Sequence, residues 1–448
     1  MKYFFETYGC QMNIAESSAA KQILDKKQWT GSNPENADLI IINTCSVRET
    51  AETRVFGRLA HYKALKKKSS KHFFVLVTGC MASRLGLSLI ERGADFVMGT
   101  QEKHIFTEII DEIEQRIELI HGGRPQAHNA LLHSNIPAQY VFSDSYYEEG
   151  RLSAFVPIMH GCNNFCSYCI VPYVRGPEIS RSPQEIKNEI ELLCSKQVPE
   201  ITLLGQNVNS YSYQDKSDTI NFPDLLEMLA QWLQGSSIRR VRFLSSHPKD
   251  FSKRVMEVLK KHPVFCRHIH LCVQHGSNKI LNLMNRQYTR EQYLNLVSEI
   301  KSTIPDISLS TDILVGFPGE SEEDFEEVLT LMNEVKFLYA YMYHYNPRKR
   351  SAAYTFPNRV PEDIKLRRLS QVIELQKQHS EELLQQRLGL NAQVLVERES
   401  KKNKDELLCS GEHGEAVILS GDKSLIGKFI EVSFDKVCGN TLRGHLLV

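Results

Sequence analysis

The chain has 448 residues, of which 42% are hydrophobic, a length and composition typical of a globular protein with more than one core. Its 54 Lys and Arg residues balance 54 Asp and Glu residues, so no overall charge would steer it to nucleic acid and any such contact must come from local patches. The amino terminus reaches Glu6 before an apolar segment develops, and no run of about eighteen apolar residues occurs, so we expect no membrane partner and a cytoplasmic location.

The first 120 residues alternate strand-like apolar runs with helical patterns. Continuous apolar runs are typical of parallel strands that are covered on both faces. We therefore expect an α/β protein whose residues 1–120 form a flavodoxin-like parallel domain. The runs are Tyr3-Phe4-Phe5, Leu39-Ile40-Ile41-Ile42 and Phe73-Phe74-Val75-Leu76-Val77.

A cysteine follows each of these three runs. Cys10, Cys45 and Cys80 are separated by two equal intervals of 35 residues, close to the length of one strand-helix unit. Because loops at the carboxyl ends of parallel strands converge at one edge of a sheet, this spacing predicts a three-thiol site there. The alternative is that each cysteine is an ordinary small buried residue.

A basic run and then a linker complete this part of the chain. From Arg54 to His72 there are seven Lys or Arg residues and no Asp or Glu. Such a run fits contact with phosphate, and equally a solvated helix face. Residues 121–150 lose periodicity and gather glycine, proline and asparagine, so we expect a linker between domains.

A second group of cysteines lies on one short loop. Cys162, Cys166 and Cys169 follow a strand-like run at C-x3-C-x2-C spacing. Three thiolates can hold three irons of a cubane iron-sulfur cluster and leave the fourth iron open to a small molecule. The alternative is a structural zinc loop, but zinc takes four ligands and usually pairs of cysteines. Eleven cysteines in a large chain favour metal or redox chemistry over disulfides.

Residues 151–378 repeat the strand-helix alternation six times. Six such units predict an open (βα)6 partial barrel with its active site at the carboxyl ends of the strands. The polar residues directly after the second and third strands are Gln206, Asn207, Ser246 and His247, which can bond a carboxylate, an amine or a ribose. The predicted strands are residues 154–159, 200–204, 240–244, 268–273, 308–315 and 339–345.

The pattern of the carboxyl-terminal residues 379–448 predicts that they form a small β-barrel. A helix from about Pro361 to Leu388 leads into short alternating runs with glycines between them, the pattern of a five-stranded, OB-like barrel that grips nucleic acid. The runs are residues 393–396, 415–419, 429–432 and 441–447.

With these residues in place, the chain resembles the radical S-adenosylmethionine (SAM) methylthiotransferases over essentially its whole length. That family has a cysteine-bearing amino domain, a radical SAM domain and a carboxyl-terminal TRAM barrel, and the chain is most similar to the branch that methylthiolates isopentenyladenosine in tRNA. The motifs that carry the resemblance are Tyr8-Gly9-Cys10-Gln11-Met12-Asn13, Asn43-Thr44-Cys45-Ser46-Val47-Arg48-Glu49, Gly79-Cys80-Met81-Ala82, residues 161–176 and Leu204-Gly205-Gln206-Asn207-Val208-Asn209.

The resemblance implies cofactors and a role for each cysteine group. Cys162, Cys166 and Cys169 would hold a [4Fe-4S] cluster that binds and cleaves SAM, and Cys10, Cys45 and Cys80 would hold an auxiliary [4Fe-4S] cluster on the path of sulfur donation. Two SAM molecules would be used at C2 of the isopentenyladenosine at position 37, one as methyl donor and one as source of the 5′-deoxyadenosyl radical. The expected SAM contacts are Tyr168, near the adenine, and Gln206, Asn207, Ser246 and His247.

The resemblance also implies partners and leaves alternatives open. We expect a monomer that binds the tRNA anticodon stem-loop, an electron donor such as flavodoxin or ferredoxin, and a sulfur source. The chain departs from the family at Cys272, where proline is usual, at His275, and at Arg348-Lys349-Arg350. Alternatives are methylthiolation of threonylcarbamoyl-adenosine or of a ribosomal-protein aspartate, and a non-enzymatic iron-sulfur RNA-binding protein. We expect the remaining five cysteines to be buried structural thiols.

Overall fold

The computed structural model describes residues 1–46, 49–68, 71–121, 140–216 and 218–447. Most of the predicted linker lies outside these ranges, as do Val47 and Arg48 of the motif after the second cysteine. The described chain forms a parallel α/β sheet, then an open barrel of parallel strands, then a small closed β-barrel. The predicted α/β fold class, with its partial barrel and its TRAM-like terminal barrel, is thereby confirmed.

The amino-terminal sheet has the flavodoxin-like strand order. Its strands are β1 (Lys2–Thr7), β2 (Thr30–Gly31), β3 (Leu39–Thr44), β4 (Phe74–Gly79) and β5 (Phe96–Met98). Its helices are α1 (Gln11–Lys26), α2 (Glu49–Lys68), α3 (Cys80–Leu85), α4 (Ser88–Glu91) and α5 (Phe106–His121). The strands are parallel in the order β2-β1-β3-β4-β5, so the carboxyl ends of β1, β3 and β4 lie side by side.

Alternating burial explains why these strands are apolar throughout. Ile41 packs on one face with Ile109 of α5, while Ile40 packs on the other face with Leu59 of α2. Because successive side chains point to opposite faces and both faces are covered, every position of β3 is buried.

Two three-stranded parallel sheets make up the partial barrel. Its principal strands are β6 (Ser153–Pro157), β9 (Glu200–Leu204), β12 (Arg240–Phe243), β13 (His268–His270), β14 (Ser308–Val315) and β15 (Tyr339–His344). Between them lie the short strands β7 (Met159–His160), β8 (Ile179–Ser180), β10 (Ser212–Asp215) and β11 (Asp218–Asn221). Isolated bridges Val241 to Phe265 and Ser246 to Leu271 join the two sheets, and among the described residues β6 and β15 do not pair, so the barrel stays open.

Helices follow the barrel strands as expected for βα units. They are α6 (Val171–Arg175), α7 (Pro183–Ser195), α8 (Phe222–Trp232), α9 (Lys253–Lys261), α10 (Asn278–Leu283), α11 (Arg290–Thr303) and α12 (Glu322–Val335). Ser182, Asn221, Thr289 and Ser321 each form a capping box at the start of α7, α8, α11 and α12, which satisfies backbone N–H groups that have no partner inside the helix.

A long helix and a closed barrel end the chain. They are α13 (Glu362–Gln385), β16 (Asn391–Glu399), β17 (Glu406–Gly411), β18 (Ala416–Ser420), β19 (Phe429–Cys438) and β20 (Thr441–Leu446). The barrel closes in the order β16-β17-β18-β20-β19, around a core that includes Val394 and Phe434. It docks on the partial barrel where Arg240 donates to the carbonyl of Ser410 (2.8 Å) and Arg242 to that of Gly411 (2.6 Å).

None of the helices in the described ranges is both long enough and apolar enough to cross a membrane.

Candidate active site between two cysteine groups

The loop that carries Cys162, Cys166 and Cys169 (the first cysteine group) is held by backbone contacts. It begins at Gly161, whose φ of +79° belongs to the left-handed region and where a Cβ would lie 1.9 Å from the carbonyl oxygen of Pro177. Ser167 then anchors the loop to the end of α10, since its N–H donates to the carbonyl of Met284 (3.0 Å) and its hydroxyl to that of Leu283 (2.7 Å). Only glycine fits the entry to this loop.

Burial controls the protonation of these thiols. It is the main cause that raises the pKa of Cys162 to about 11 and of Cys169 to about 12, and the nearby sulfur of Cys166 raises both further. The guanidinium of Arg286 opposes this effect and donates from Nη1 to the sulfur of Cys166 (3.3 Å). Without a cation the thiols of Cys162 and Cys169 stay protonated at neutral pH, whereas a bound metal would deprotonate them.

Cys10, Cys45 and Cys80 (the second cysteine group) lie together at the carboxyl ends of β1, β3 and β4. Burial raises the pKa of Cys80 to about 11, and both other sulfurs are near enough to contribute to the rise. Asn13 organises the group: its Oδ1 accepts from the sulfur of Cys10 (3.2 Å), and its Nδ2 donates to the carbonyl of Thr44 (3.0 Å), next to Cys45.

The three sulfur atoms of each cysteine group are not gathered closely enough to ligate one zinc ion together. Around one tetrahedral zinc with bonds of about 2.3 Å, sulfurs would lie about 3.8 Å apart. In neither cysteine group do all three sulfur atoms lie within 4.8 Å of one another, and all six cysteines are among the described residues. No disulfide joins the described cysteines. Cys10 is exposed, Cys169 is half-buried and the other four thiols are buried. Three thiols in each group are the number of protein donors that a [4Fe-4S] cluster with one open iron requires.

The two cysteine groups are joined through α3 and α6. Cys80 packs against Ile170 and Val174, which directly follow the first cysteine group. Arg175, the last residue of α6, donates to both carboxylate oxygens of Glu16 on α1 (2.9 and 3.3 Å), and Lys103 also pairs with Glu16. Glu16 and Arg175 are buried and Lys103 is half-buried, so most of the solvent is excluded from this contact between the two domains.

Arg175 also lies close enough to the second cysteine group to influence it electrostatically, since its charge opposes the rise in the pKa of Cys80. The sequence motif contained Arg175 without a role, and neither Glu16 nor Arg286 carried any signal in the sequence. These three residues are the functional partners that sequence reasoning missed.

All four predicted polar contacts carry buried side-chain atoms without a hydrogen-bond partner. Among the described residues, such atoms include Asn207 Oδ1, Ser246 Oγ and His247 Nε2 at the ends of β9 and β12, and Gln206 Oε1 adds a fourth from the residue before Asn207. Native proteins rarely leave buried polar atoms unpaired, and such atoms are typical of ligand sites. Asn207 is fixed by donating from Nδ2 to Asp250 (2.7 Å).

The ring of His247 is neutral and its tautomer follows from its contacts. Burial, with help from Arg286 and Lys249, lowers the pKa of His247 to about 2. Its Nδ1 accepts from the backbone N–H of Lys249 (3.3 Å), so the proton of the neutral ring lies on the unpaired Nε2. His247 therefore offers a hydrogen-bond donor to a ligand oxygen, whereas Asn207 Oδ1 offers an acceptor.

Tyr168 lies against an apolar cluster that includes Phe317 and Tyr345, beside the first cysteine group. Its hydroxyl accepts from Nη1 of Arg286 (3.4 Å). His275, by contrast, is fully buried and contacts Glu320 (3.3 Å), so it packs below the rim of the barrel. His275, one of the departures from the family, is therefore part of the core and does not line the rim of the site.

The basic segments differ in how far they are neutralised. In the run after Cys45, Arg58 pairs with Glu6, Lys66 with Asp95 and Lys71 with Asp38, while Lys67 and Lys68 are exposed. Near the first cysteine group, Lys349 and Arg350 are exposed on a segment whose Ala353 N–H donates to the carbonyl of Ser167 (2.8 Å). The second segment, at the rim of the site, is the better placed for phosphate contact.

Comparison with known proteins places the chain among enzymes. The profile of the Radical SAM superfamily matches residues 156–332, and that of Uncharacterized protein family UPF0004 matches residues 2–99. Proteins named tRNA-2-methylthio-N(6)-dimethylallyladenosine synthase are similar over the whole chain. That of Treponema pallidum (strain Nichols) is 48% identical and covers 100% of this chain and 99% of its own length; that of Treponema denticola is 47% identical, with 100% of both covered.

Solved structures share the fold at low identity. The radical S-adenosylmethionine methyltransferase TsrM from Kitasatospora setae, with cobalamin and a [4Fe-4S] cluster bound, has a TM-score of 0.53 and 14% identity, and covers 77% of this chain and 72% of its own. The cobalamin-dependent enzyme OxsB, with S-adenosylmethionine bound, has a TM-score of 0.50 and 10% identity, and covers 84% and 56%.

Proposed function

The chain belongs to the radical SAM family of tRNA-2-methylthio-N6-dimethylallyladenosine synthases, and we propose that it replaces the hydrogen at C2 of N6-isopentenyladenosine 37 in tRNA with a methylthio group. The observation that carries this proposal is the pair of three-cysteine groups that meet at α3 and α6. No side-chain acid or base removes an aromatic hydrogen of this kind at neutral pH, so a cofactor must supply the difficult step.

The first cysteine group fits the SAM cluster. When bound by Cys162, Cys166 and Cys169, a [4Fe-4S] cluster supplies an open iron for SAM and the electron with which SAM is cleaved. The protein's part is to bury the thiols and to bind the rest of SAM. Tyr168 offers an apolar wall for the adenine, and the unpaired polar atoms at the ends of β9 and β12 offer a donor and an acceptor to its polar groups.

We propose that the second cysteine group holds the auxiliary [4Fe-4S] cluster on the path of sulfur donation. The support is its set of three thiols at neighbouring strand ends, with Asn13 bonded to Cys10 and the charge of Arg175 nearby. A cluster at this place would supply the sulfur acceptor for the methyl group of a second SAM. The packing of α3 on α6 fixes the distance between that sulfur and the first cysteine group.

The proposed partners follow from this chemistry. The anticodon stem-loop of tRNA would reach the rim near Lys349 and Arg350, where exposed cations lie beside the first cysteine group. A flavodoxin or ferredoxin would supply electrons, and a separate sulfur source would restore the auxiliary site. We propose that the protein works as a monomer in the cytoplasm, where tRNA is modified.

Single substitutions separate the two cysteine groups. We expect Cys166→Ala to abolish reductive cleavage of SAM, whereas Cys45→Ala should spare cleavage and abolish methylthio insertion. The measurements are 5′-deoxyadenosine release and nucleoside analysis of tRNA, with iron content as a check: about eight irons per wild-type chain and about four in each variant.

Cys438→Ala is the matched control, because Cys438 is exposed on the terminal barrel, and it should retain both activities and all iron. Identical phenotypes for Cys166→Ala and Cys45→Ala would refute the division of labour. If the amount of methylthio-isopentenyladenosine in tRNA is the same in a deletion strain as in the wild type, isopentenyladenosine is not the substrate. The candidates are then threonylcarbamoyl-adenosine in tRNA and a ribosomal-protein aspartate.

A further inference from the structure

Three metal-type donors that belong to neither cysteine group lie together inside the partial barrel. Cys272 and His270 come from the end of β13, and Asp312 from the neighbouring strand β14. One donor atom of each lies within 4.8 Å of the other two, which no other set of three such residues achieves in the part of the chain that the structure describes. Neither the sequence motifs nor the proposed function gives this trio a role.

The distances within the trio match those between ligands of one ion. His270 Nε2 lies 3.2 Å from the sulfur of Cys272 and 3.7 Å from Oδ1 of Asp312. Tetrahedral coordination with metal bonds of about 2.0 to 2.3 Å places neighbouring ligands about 3.3 to 3.6 Å apart. A single ion would therefore fit among the three donors with shifts of a few tenths of an ångström.

The surroundings hold each donor in place. The second ring nitrogen of His270 contacts the hydroxyl of Ser310 (2.9 Å), which leaves Nε2 for the site. The carbonyl of Cys272 accepts from Arg286 Nη2 (2.6 Å), and Gln274 donates to the other oxygen of Asp312 (3.4 Å). Metal-binding histidines and carboxylates are commonly oriented by such outer contacts.

One side of the trio stays accessible. His270 is buried at 6% exposure, whereas the side chain of Asp312 is 28% exposed. Three protein donors with an accessible side are the arrangement of sites that keep one coordination position for a small ligand. Cys272, expected to be a structural thiol, is instead half-buried and in contact with an imidazole.

We propose that His270, Cys272 and Asp312 form a third metal site, which binds one divalent transition ion of the zinc and ferrous class and leaves a fourth position open. A thiolate, an imidazole and a carboxylate are the ligands that this class accepts together. Arg286 links the site to the first cysteine group, because it donates both to the carbonyl of Cys272 and to the sulfur of Cys166. The site does not depend on the proposed tRNA substrate.

Zinc binding and thiol protection test the site in the full-length protein with its clusters reconstituted. After incubation with Zn²⁺ and desalting, we expect about one zinc per wild-type chain. Alkylation of Cys272, followed by peptide mass spectrometry, should slow by about tenfold when free zinc is ten times its dissociation constant. The purified wild-type protein could instead contain more iron than its two clusters account for. If this extra iron is missing from Cys272→Ala, the ion that the site binds is ferrous iron.

Two variants and one control complete the test. Cys272→Ala should lose the zinc, and Asp312→Asn, which keeps the shape of the side chain, should weaken its binding while cluster iron is retained. Cys266→Ala removes a buried thiol six residues earlier and should keep the zinc. If zinc content is the same in Cys272→Ala as in the wild type, or if zinc leaves the alkylation rate of Cys272 unchanged, the proposal is wrong and the trio is a hydrogen-bonded group.

Discussion

Glu16 is a buried carboxylate on which the contact between the two domains depends. Burial by itself would raise its pKa, but the charges of Arg175 and Lys103 outweigh this effect and lower the pKa of Glu16 from 4.5 to about 2. The stability that the ionised carboxylate contributes is therefore complete above about pH 4.5 and is lost as the pH falls toward 2. Replacing it leaves Arg175 buried without its partner.

We expect Glu16→Gln to lower the free energy of unfolding of the metal-free protein by about 3 kcal/mol or more at pH 7. At pH 3.5 the gap between wild type and variant should shrink by about 1.4 kcal/mol, because the Glu16 carboxylate is then largely protonated in the unfolded chain but still ionised in the folded protein. Urea titrations at the two pH values measure both differences. A gap that does not change with pH would show that Glu16 is not ionised in the folded protein.

At this scale the sequence predicted donors better than their partners. Spacing was enough to group Cys10 with Cys45 and Cys80, because the carboxyl ends of parallel strands share an edge. The pair of Glu16 and Arg175 spans 159 residues and depends on how two domains dock, which no local pattern encodes. Cluster ligation and the SAM contacts remain predictions that the experiments above address.

Among the elements, the first cysteine loop depends on the glycine at its entry. We expect Gly161→Ala to lose iron from the SAM cluster and to abolish SAM cleavage, because the new Cβ would overlap the carbonyl oxygen of Pro177 and push the loop away. Gly150→Ala is the matched control: its φ of +80° is nearly the same, but no atom lies within 4 Å of the new Cβ. It should cost only about 1 to 2 kcal/mol of backbone strain.

Iron analysis and SAM cleavage assays distinguish the two glycine variants. Equal losses would mean that the positive φ, rather than the clash with Pro177, limits both sites.

The sequence predicted most elements because their patterns are local. Strands β9 and β14 begin and end at the predicted residues. Strand β17 was missing from the predicted runs, although five strands were expected. Its buried residues, Leu407, Cys409 and Gly411, alternate with half-buried ones, and its apolar part is too short to stand out between charged residues.

For the whole molecule, zero net charge means that tRNA affinity depends on where cations are exposed. We expect the double variant Lys349→Ala/Arg350→Ala to weaken tRNA binding and to reduce the slope of log K against log salt concentration by about 1 to 2. Lys67→Ala/Lys68→Ala is the matched control. These lysines are exposed at the far end of α2, roughly 27 Å along the helix from the residue at which it begins.

Binding of labelled tRNA over a range of salt concentrations measures both double variants. If the Lys67 and Lys68 changes weaken tRNA binding more than the Lys349 and Arg350 changes do, the RNA-binding surface lies on the amino-terminal domain instead.

The domain boundaries at residues 120, 150 and 378 remain predictions. Contacts such as that of Arg240 with Ser410 cross the boundary at residue 378.

The packing of α3 on α6 has a consequence for timing. Cys80 begins one helix, Arg175 ends the other, and buried side chains fill the space between them. The gap between the two cysteine groups is therefore set when the protein folds, without a swinging arm or a travelling carrier. Because this packing fixes the distance between the two cysteine groups, the order of steps in a turnover depends on the arrival and departure of small molecules and of the substrate RNA.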